Sequence, residues 1–166
     1  MERYKDRVLI YIPMAGYLRQ WLVGRLGIPV RFPKGSYENA VIVRHISRLP
    51  PDGSPQLGGP DDVPVVVPAI HGKPMETYNY FGRRGAAALR EAVANLFTLD
   101  LWHGVAPRLA SSGLNEALDG WCAKKGIDLD SREAVRQKFY RMRKAYRRHG
   151  IILGERYNKE RGNGTL

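Results

Sequence analysis

The stretch SREAVRQKFYRMRKAYRR, residues 131–148, carries the clearest structural signal in the chain. Within it, Val135, Phe139, Met142 and Tyr146 follow one another at steps of four, three and four residues. Residues three and four positions apart share one face of an α-helix, so this spacing predicts a helix with a single apolar stripe. Ser131 stands just before the pattern and is a suitable N-terminal cap for the helix. Because an apolar stripe needs a core to pack against, we expect this helix to belong to a folded domain.

The face of the predicted helix opposite the apolar stripe is strongly basic. Cationic side chains pair with phosphate, and glutamine and arginine can also pair with the edges of bases. We therefore predict a nucleic-acid interface that consists of Arg136, Gln137, Tyr140, Arg141, Arg143, Lys144, Arg147 and Arg148. The expected phosphate contacts in this set are Arg136, Arg143, Lys144, Arg147 and Arg148. The residues expected nearest to base edges are Gln137, Tyr140 and Arg141.

The segment before the basic helix favours DNA as the partner. Residues 114–126, LNEALDGWCAKKG, predict a helix that ends near Gly126, and the segment IDLD connects it to the basic helix. This order matches helix-turn-helix proteins, whose second helix lies in the major groove and which often bind as dimers. DNA is therefore favoured over RNA, with a second copy of the chain as a further partner. The alternatives are an assembly or adaptor protein whose basic helix docks on an acidic partner, and a solvated surface helix.

The charge of the chain is concentrated near the same helix. The chain has 27 Lys and Arg residues and 16 Asp and Glu residues, which gives a formal net charge of +11. Eleven basic residues but only three acidic residues lie between positions 131 and 161. A focused positive field of this kind attracts polyanions.

Composition argues against several other classes of protein. No apolar run approaches the roughly 18 residues that a membrane-spanning helix needs, and the N-terminal residues do not resemble a signal peptide. The single cysteine, Cys122, excludes an internal disulfide and is expected to serve packing. The four histidines lie far apart, without metal-ligand spacing. We therefore expect a cytoplasmic protein with no membrane partner, metal or cofactor and no catalytic activity, although His71, Glu76 and Arg83 would form a site if the fold brought them together.

The remainder of the chain predicts a small mixed structure. The expected strands are residues 7–13 and 63–70, which pair with each other, the second lying at a sheet edge because of its two prolines. The expected helices cover residues 14–26, residues 36–49 with Ser36 as N-cap, and residues 84–97 with a continuation or kink through 98–110. The Pro- and Gly-rich residues 50–62 and the aromatic residues 72–82 are expected to be loops.

These elements together predict an α+β protein. Its small N-terminal part, residues 1–111, contains two or three strands and two helices, and includes the loop at 50–62. Residues 112–153 form a basic, helical C-terminal part with a helix-turn-helix-like pair, and residues 154–166 form a polar tail.

Three short motifs in the N-terminal part have both a structural and a functional interpretation. Lys34, Gly35 and Ser36 resemble the end of a phosphate-binding loop but lack its upstream glycine, so a turn followed by an N-cap is favoured. The sequence Arg83-Arg84 at a helix start is able to hold an anion. The aromatic cluster at residues 78–81 is able to stack on exposed bases, although packing is favoured.

The segments GIDLD, RQKFYRMRKAY and HGIIL between residues 126 and 153 resemble the C-terminal part of hypothetical proteins from Bacteroidetes genomes and their mobile elements. The N-terminal segment PVRFPKGSYENAVI, residues 29–42, resembles the same family. The resemblance implies a bacterial protein carried by a phage or transposon, and it implies no activity and no functional residues. A regulator or accessory factor of a mobile element is the expectation that follows, by analogy with transcription activators that carry a C-terminal helix-turn-helix.

Overall fold

The structure is a computed structural model that describes residues 7–150. In chain order the elements are the strand β1 (Leu9–Pro13), the helices α1 (Gly16–Leu26) and α2 (Tyr37–His45), the strands β2 (Ile46–Arg48), β3 (Asp62–Val66) and β4 (Tyr78–Phe81), and the helices α3 (Arg83–Val105), α4 (Leu114–Lys124) and α5 (Leu129–Arg148). A short 3₁₀ helix, Ala106–Ala110, lies between α3 and α4. The α+β class and the helical C-terminal part are confirmed. The polar tail predicted at 154–166 lies outside the described residues.

The chain divides into two compact units, Met1–Thr98 and Leu99–Leu166. The sequence pattern predicts a boundary between the two parts after residue 111, where Ser111, Ser112 and Gly113 interrupt the helical pattern. The observed division falls inside α3, because this helix continues without interruption through position 98.

The first unit contains both sheets. Strand β1 pairs antiparallel with β3, with Tyr11 opposite Pro64, which confirms the predicted pairing of these two segments. The prediction that β3 lies at a sheet edge is wrong at Val65. There Val30 forms a parallel bridge to β3 on the side opposite to β1. There the Val30 amide donates to the Pro64 carbonyl at 2.8 Å. The amide nitrogen and the carbonyl of one strand residue point to the same side of the strand. Because the Pro64 carbonyl faces Val30, the N–H that proline lacks would also have faced Val30, and the hydrogen bonds between β3 and β1 are intact.

The second sheet corrects two predictions. Helix α2 begins after the predicted cap, since the Ser36 side chain accepts from the Asn39 amide at 3.3 Å, but it ends at His45 rather than Leu49. The chain then forms β2, which pairs antiparallel with β4, and β4 lies in the segment 72–82 that was predicted to be a loop. The pair Ile46 and Phe81 explains both changes, because these partners are buried together, at 3% and 1% exposure.

The Pro- and Gly-rich segment 50–62 is a loop, as predicted, and it is attached to the first unit at several points. The Gln56 side chain accepts from the Phe81 amide at 2.9 Å and donates to the Phe81 carbonyl at 2.5 Å. Arg19 pairs with Asp61 at 3.2 Å. A Cβ at Gly58 would lie only 2.2 Å from the Tyr11 ring, so the ring occupies the space of a side chain there. The loop therefore belongs to the packing of the first unit.

In the second unit, Gly104 of α3 has a packing role. A Cβ at Gly104 would lie 2.2 Å from Nε1 of Trp121, so the indole of α4 fits against the bare backbone of α3 at this position. The 23-residue helix α3 continues through Gly104 and ends at Val105, just before the 3₁₀ turn that contains Pro107. No helix within residues 7–150 combines the length and the apolar character needed to cross a membrane.

Cys122 on α4 is buried at 1% exposure, which confirms its packing role. Burial raises the pKa of its thiol from 9.0 to about 11, although the positive charge of Arg132 lowers it in part. Between these two pH values the unfolded chain loses a proton that the native protein keeps. We therefore expect the free energy of unfolding to fall as pH rises from 9 to 11. Urea denaturation at several pH values would measure this fall, and the part due to Cys122 should disappear in Cys122→Ala.

Candidate nucleic-acid interface

The turn between α4 and α5 is fixed by a specific backbone motif. Gly126 adopts a φ of +75°, which glycine tolerates best, immediately after the C-terminal residues of α4. The Ile127 amide donates to the Cys122 carbonyl at 3.0 Å, and the Gly126 amide donates to the Ala123 carbonyl at 3.3 Å. These two bonds form a Schellman motif, and Ile127 is buried at 2% exposure as that motif prefers. The four residues 125–128 thus set where α5 begins.

The N-terminal cap of α5 is Asp128, not Ser131. Its carboxylate accepts from the Ser131 amide at 2.8 Å, and the helix begins at Leu129. The prediction of Ser131 was wrong because an aspartate with equal capping ability stands three residues earlier. Ser131 therefore lies inside the first turn and supplies the amide that is capped.

Replacing Asp128 with alanine should lower the free energy of unfolding by about 1 kcal/mol, the usual loss for an N-cap side chain. Ser131→Ala should change it by less than about 0.5 kcal/mol, because a substitution away from a cap has little effect. Thermal or urea denaturation of both variants would measure the difference. Equal effects of the two substitutions would contradict the assignment of the cap.

The apolar stripe holds α5 in one rotational setting. Val135 and Phe139 are fully buried, at 0% exposure, whereas Met142 and Tyr146 are half-buried. Trp102 on α3 stacks on Phe139 with ring centroids 6.0 Å apart and also contacts Tyr146 at 4.9 Å. The predicted stripe is confirmed, and because it faces the core of the second unit, the opposite face of α5 must point outward.

The first half of the outward face is occupied by contacts within the protein. Arg136 pairs with Glu133 at 2.7 Å and with Asp119 of α4 at 3.5 Å. Gln137 donates to the Glu133 carboxylate at 2.9 Å. This hydrogen bond, followed by the charge of Arg136, holds the pKa of Glu133 below its ordinary value. A phosphate or a base would have to compete with these carboxylates for Arg136 and Gln137.

The second half of the outward face carries its cations differently. Arg141, Lys144 and Arg148 are exposed and follow one another at steps of three and four, so they form one narrow row along the helix. Arg147 is also exposed, and the guanidinium of Arg143 lies over the Tyr140 ring at 5.4 Å from its centroid. A cation over an aromatic face keeps the N–H donors at its edge available, so Arg143 presents its donors above the Tyr140 ring.

The two halves of α5 differ in charge. Residues 129–138 contain three basic and two acidic residues, whereas residues 139–148 contain five basic residues and no acidic one. Acidic groups near a helix N-terminus and basic groups near its C-terminus both stabilise the helix dipole. The division therefore has a structural benefit, and it also places the densest positive charge in the second half of α5.

Within residues 7–150 no group of His, Cys, Asp and Glu side chains is arranged to hold a metal ion. A site formed by His71, Glu76 and Arg83 stays a prediction. A groove of about 260 Å³ lies between α1 and the start of β3, and its lining is mostly apolar. Asp119 and Trp102 contribute to the α5 site without having been predicted there. Their contacts with α5 join residues distant in sequence, and no local spacing signals them.

Comparisons with protein-family models, with curated proteins and with solved structures found no match to this chain.

Proposed function

We propose that the chain binds DNA through the second half of α5. One observation carries this proposal: Arg141, Lys144 and Arg148 form an exposed row on a helix whose orientation is fixed by buried Val135 and Phe139. A rigid helix that presents cations in a row suits a polyanion, because the cations need no rearrangement before contact. Arg143 and Arg147 lie beside this row and extend it.

The proposed contact differs from that of a standard helix-turn-helix. In such proteins the N-terminal residues of the second helix approach the base edges. In α5 that end carries Asp130 and Glu133 on its outward side, which would repel phosphate. The contact is therefore proposed to centre on Tyr140, Arg141 and Lys144, with Arg136 and Gln137 kept for contacts within the protein.

The dependence of binding on salt tests this proposal. If about five phosphates are neutralised, log affinity for duplex DNA should fall against log salt concentration with a slope of roughly −4 to −5. Gel-shift or fluorescence anisotropy measurements over a series of salt concentrations would give the slope. A flat response, or no binding of duplex DNA at low salt, would contradict DNA binding by this helix.

A docking site for an acidic protein is the second candidate, and the exposed Tyr140 ring beside Arg143 favours it, since aromatic residues and arginine are common at protein interfaces. Polyglutamate should displace an acidic protein partner from the chain, but it should displace DNA only weakly. A pull-down that survives nuclease treatment would favour the protein partner, and a duplex RNA probe would separate RNA from DNA.

The biological setting of the proposal comes from the sequence resemblance alone. A regulator or accessory factor of a bacterial mobile element would act on DNA in the cytoplasm, and a dimer would place two copies of α5 on one site. Light scattering of the purified chain with and without duplex DNA would test the dimer.

A further inference from the structure

Two motifs that the DNA-binding proposal leaves unused are adjacent in the first unit. The aromatic sequence YNYF forms β4, and Arg83 and Arg84 begin α3 one residue after it. Both arginines are exposed. The fold therefore brings an aromatic strand and a cationic helix start to one place on the surface.

The direction of Tyr80 follows from the pairing of β2 with β4. Ile46 and Phe81 are opposite each other and buried, so they form the inward face of this sheet. Neighbouring residues of a strand point to opposite faces, so Ser47 and Tyr80, which also lie opposite each other, point outward. Ser47 is exposed and Tyr80 is half-buried, so part of the Tyr80 side chain is accessible to solvent.

The Tyr80 ring lies toward the start of α3. A Cβ built at Gly82 would lie 3.4 Å from Cε1 of Tyr80, so the edge of the ring is next to the residue that precedes Arg83. A side chain at Gly82 would contact this edge of the ring.

Tyr78 has a different role from Tyr80. The Arg48 guanidinium lies 5.2 Å from the centroid of the Tyr78 ring, and Nζ of Lys73 lies 5.7 Å from it. Lys73 is also held by a 2.8 Å hydrogen bond to the Val43 carbonyl. Tyr78 thus serves to position two cations near the sheet, whereas among residues 7–150 no cation lies over the Tyr80 ring.

The charge around this sheet is complementary to a polyanion. Residues 44–48 and 71–84 contain five basic residues, Arg44, Arg48, Lys73, Arg83 and Arg84, and one acidic residue, Glu76. A partly exposed ring among cations is the combination with which proteins bind single strands: the ring stacks on a base and the cations hold the backbone. In a duplex the bases are already stacked on one another and do not reach such a ring.

We propose that this surface, which we call the Tyr80 face and define as Arg48, Tyr80, Arg83 and Arg84, binds single-stranded nucleic acid. One base stacks on Tyr80, and the phosphates beside it pair with the three arginines. The proposed role of the Tyr80 face does not depend on α5, because it uses different residues and a different form of nucleic acid.

Fluorescence anisotropy with a labelled thymidine homopolymer, which forms no duplex, tests the Tyr80 face. Tyr80→Ala should weaken binding by about 5- to 100-fold, the range expected for the loss of one stacked base. Tyr80→Phe should bind within about twofold of the native chain, because stacking needs the ring and not the hydroxyl. Tyr37→Ala is the matched control, since Tyr37 is 70% exposed on α2 and should not affect binding. The double variant Arg83→Glu with Arg84→Glu changes only exposed side chains and should also lose most of the binding.

Several outcomes would overturn the proposal. These are no binding of the homopolymer at low salt, an equal loss in Tyr80→Phe and Tyr80→Ala, or displacement of the homopolymer by polyglutamate at equal charge concentration. Reversal of charges on α5 distinguishes the two surfaces. If the homopolymer is released by Arg141→Glu with Lys144→Glu but not by Tyr80→Ala, single strands bind α5 and the Tyr80 face has no such role. Duplex binding that persists in Tyr80→Ala would leave the function proposed for α5 standing.

Discussion

Replacing Phe139 with alanine is expected to lower the free energy of unfolding by about 3–5 kcal/mol, the range for truncating a buried phenylalanine. The Phe139 side chain is 0% exposed, and its ring stacks on Trp102 with an angle of 21° between the ring planes. Alanine would leave a cavity and remove the partner of that indole. Since a whole domain is stable by only about 5–15 kcal/mol, this loss threatens the native state of the second unit. Urea denaturation followed by circular dichroism and tryptophan fluorescence would measure it.

Two further substitutions separate loss of packing from other causes. Phe139→Leu keeps most of the apolar volume and should cost less than alanine, about 1–2 kcal/mol. Lys144→Ala, on the exposed side of the same helix, should change stability by less than about 0.5 kcal/mol. A loss below about 1 kcal/mol in Phe139→Ala would mean that the ring is not held in the core, and the outward direction of the basic row would lose its support.

Reversing two charges in the basic row, Arg141→Glu with Lys144→Glu, should weaken duplex DNA binding by about 100-fold at low salt. Each reversal replaces an attraction of about 1 kcal/mol in water with a repulsion of similar size, and screening by salt reduces the total. The slope of log affinity against log salt should become shallower by about two units, since two phosphate contacts are lost. Anisotropy measurements with a labelled duplex would give both values.

The chain provides a matched control for this pair. Arg31 and Lys34 are exposed, lie three positions apart like Arg141 and Lys144, and belong to the first unit. Arg31→Glu with Lys34→Glu changes the net charge by the same amount, so it reports the effect of overall charge alone. If the two double variants weaken duplex binding equally, the protein attracts DNA only through its net charge and α5 is not the site.

Helix α5 was predictable because its signals are local. The apolar residues Val135 and Phe139 and the cations between them all fall within one helical repeat pattern, so no knowledge of the rest of the chain was needed. The same holds for the cap of α2 at Ser36, where one hydroxyl bonds an amide three residues later. Which predicted interface residues contact nucleic acid stays a prediction.

The features that escaped prediction depend on distant partners. Ile46 leaves the helical pattern of α2 because it pairs with Phe81, which is far away in sequence. The segment YNYF has aromatic residues that favour a strand, but it is only four residues long and its partner is not evident from the sequence. Arg136 is predicted from sequence as a phosphate contact, but Asp119, 17 residues before it, is brought close to it by the turn at Gly126. The cap predicted at Ser131 lies at Asp128 instead, because the Schellman turn at Gly126 sets the start of α5 at Leu129.

The bonds from Gln56 to both backbone groups of Phe81 also protect the protein from unwanted association. Phe81 belongs to β4, a short strand in a two-stranded sheet, and an unpaired strand edge is a template on which another chain is able to add. The side-chain amide of Gln56 has the same donor and acceptor as a peptide group, so at Phe81 it takes the place that a foreign strand would fill. We therefore expect this Pro- and Gly-rich loop to cover the strand edge at Phe81 and to hinder its pairing with other copies of the chain.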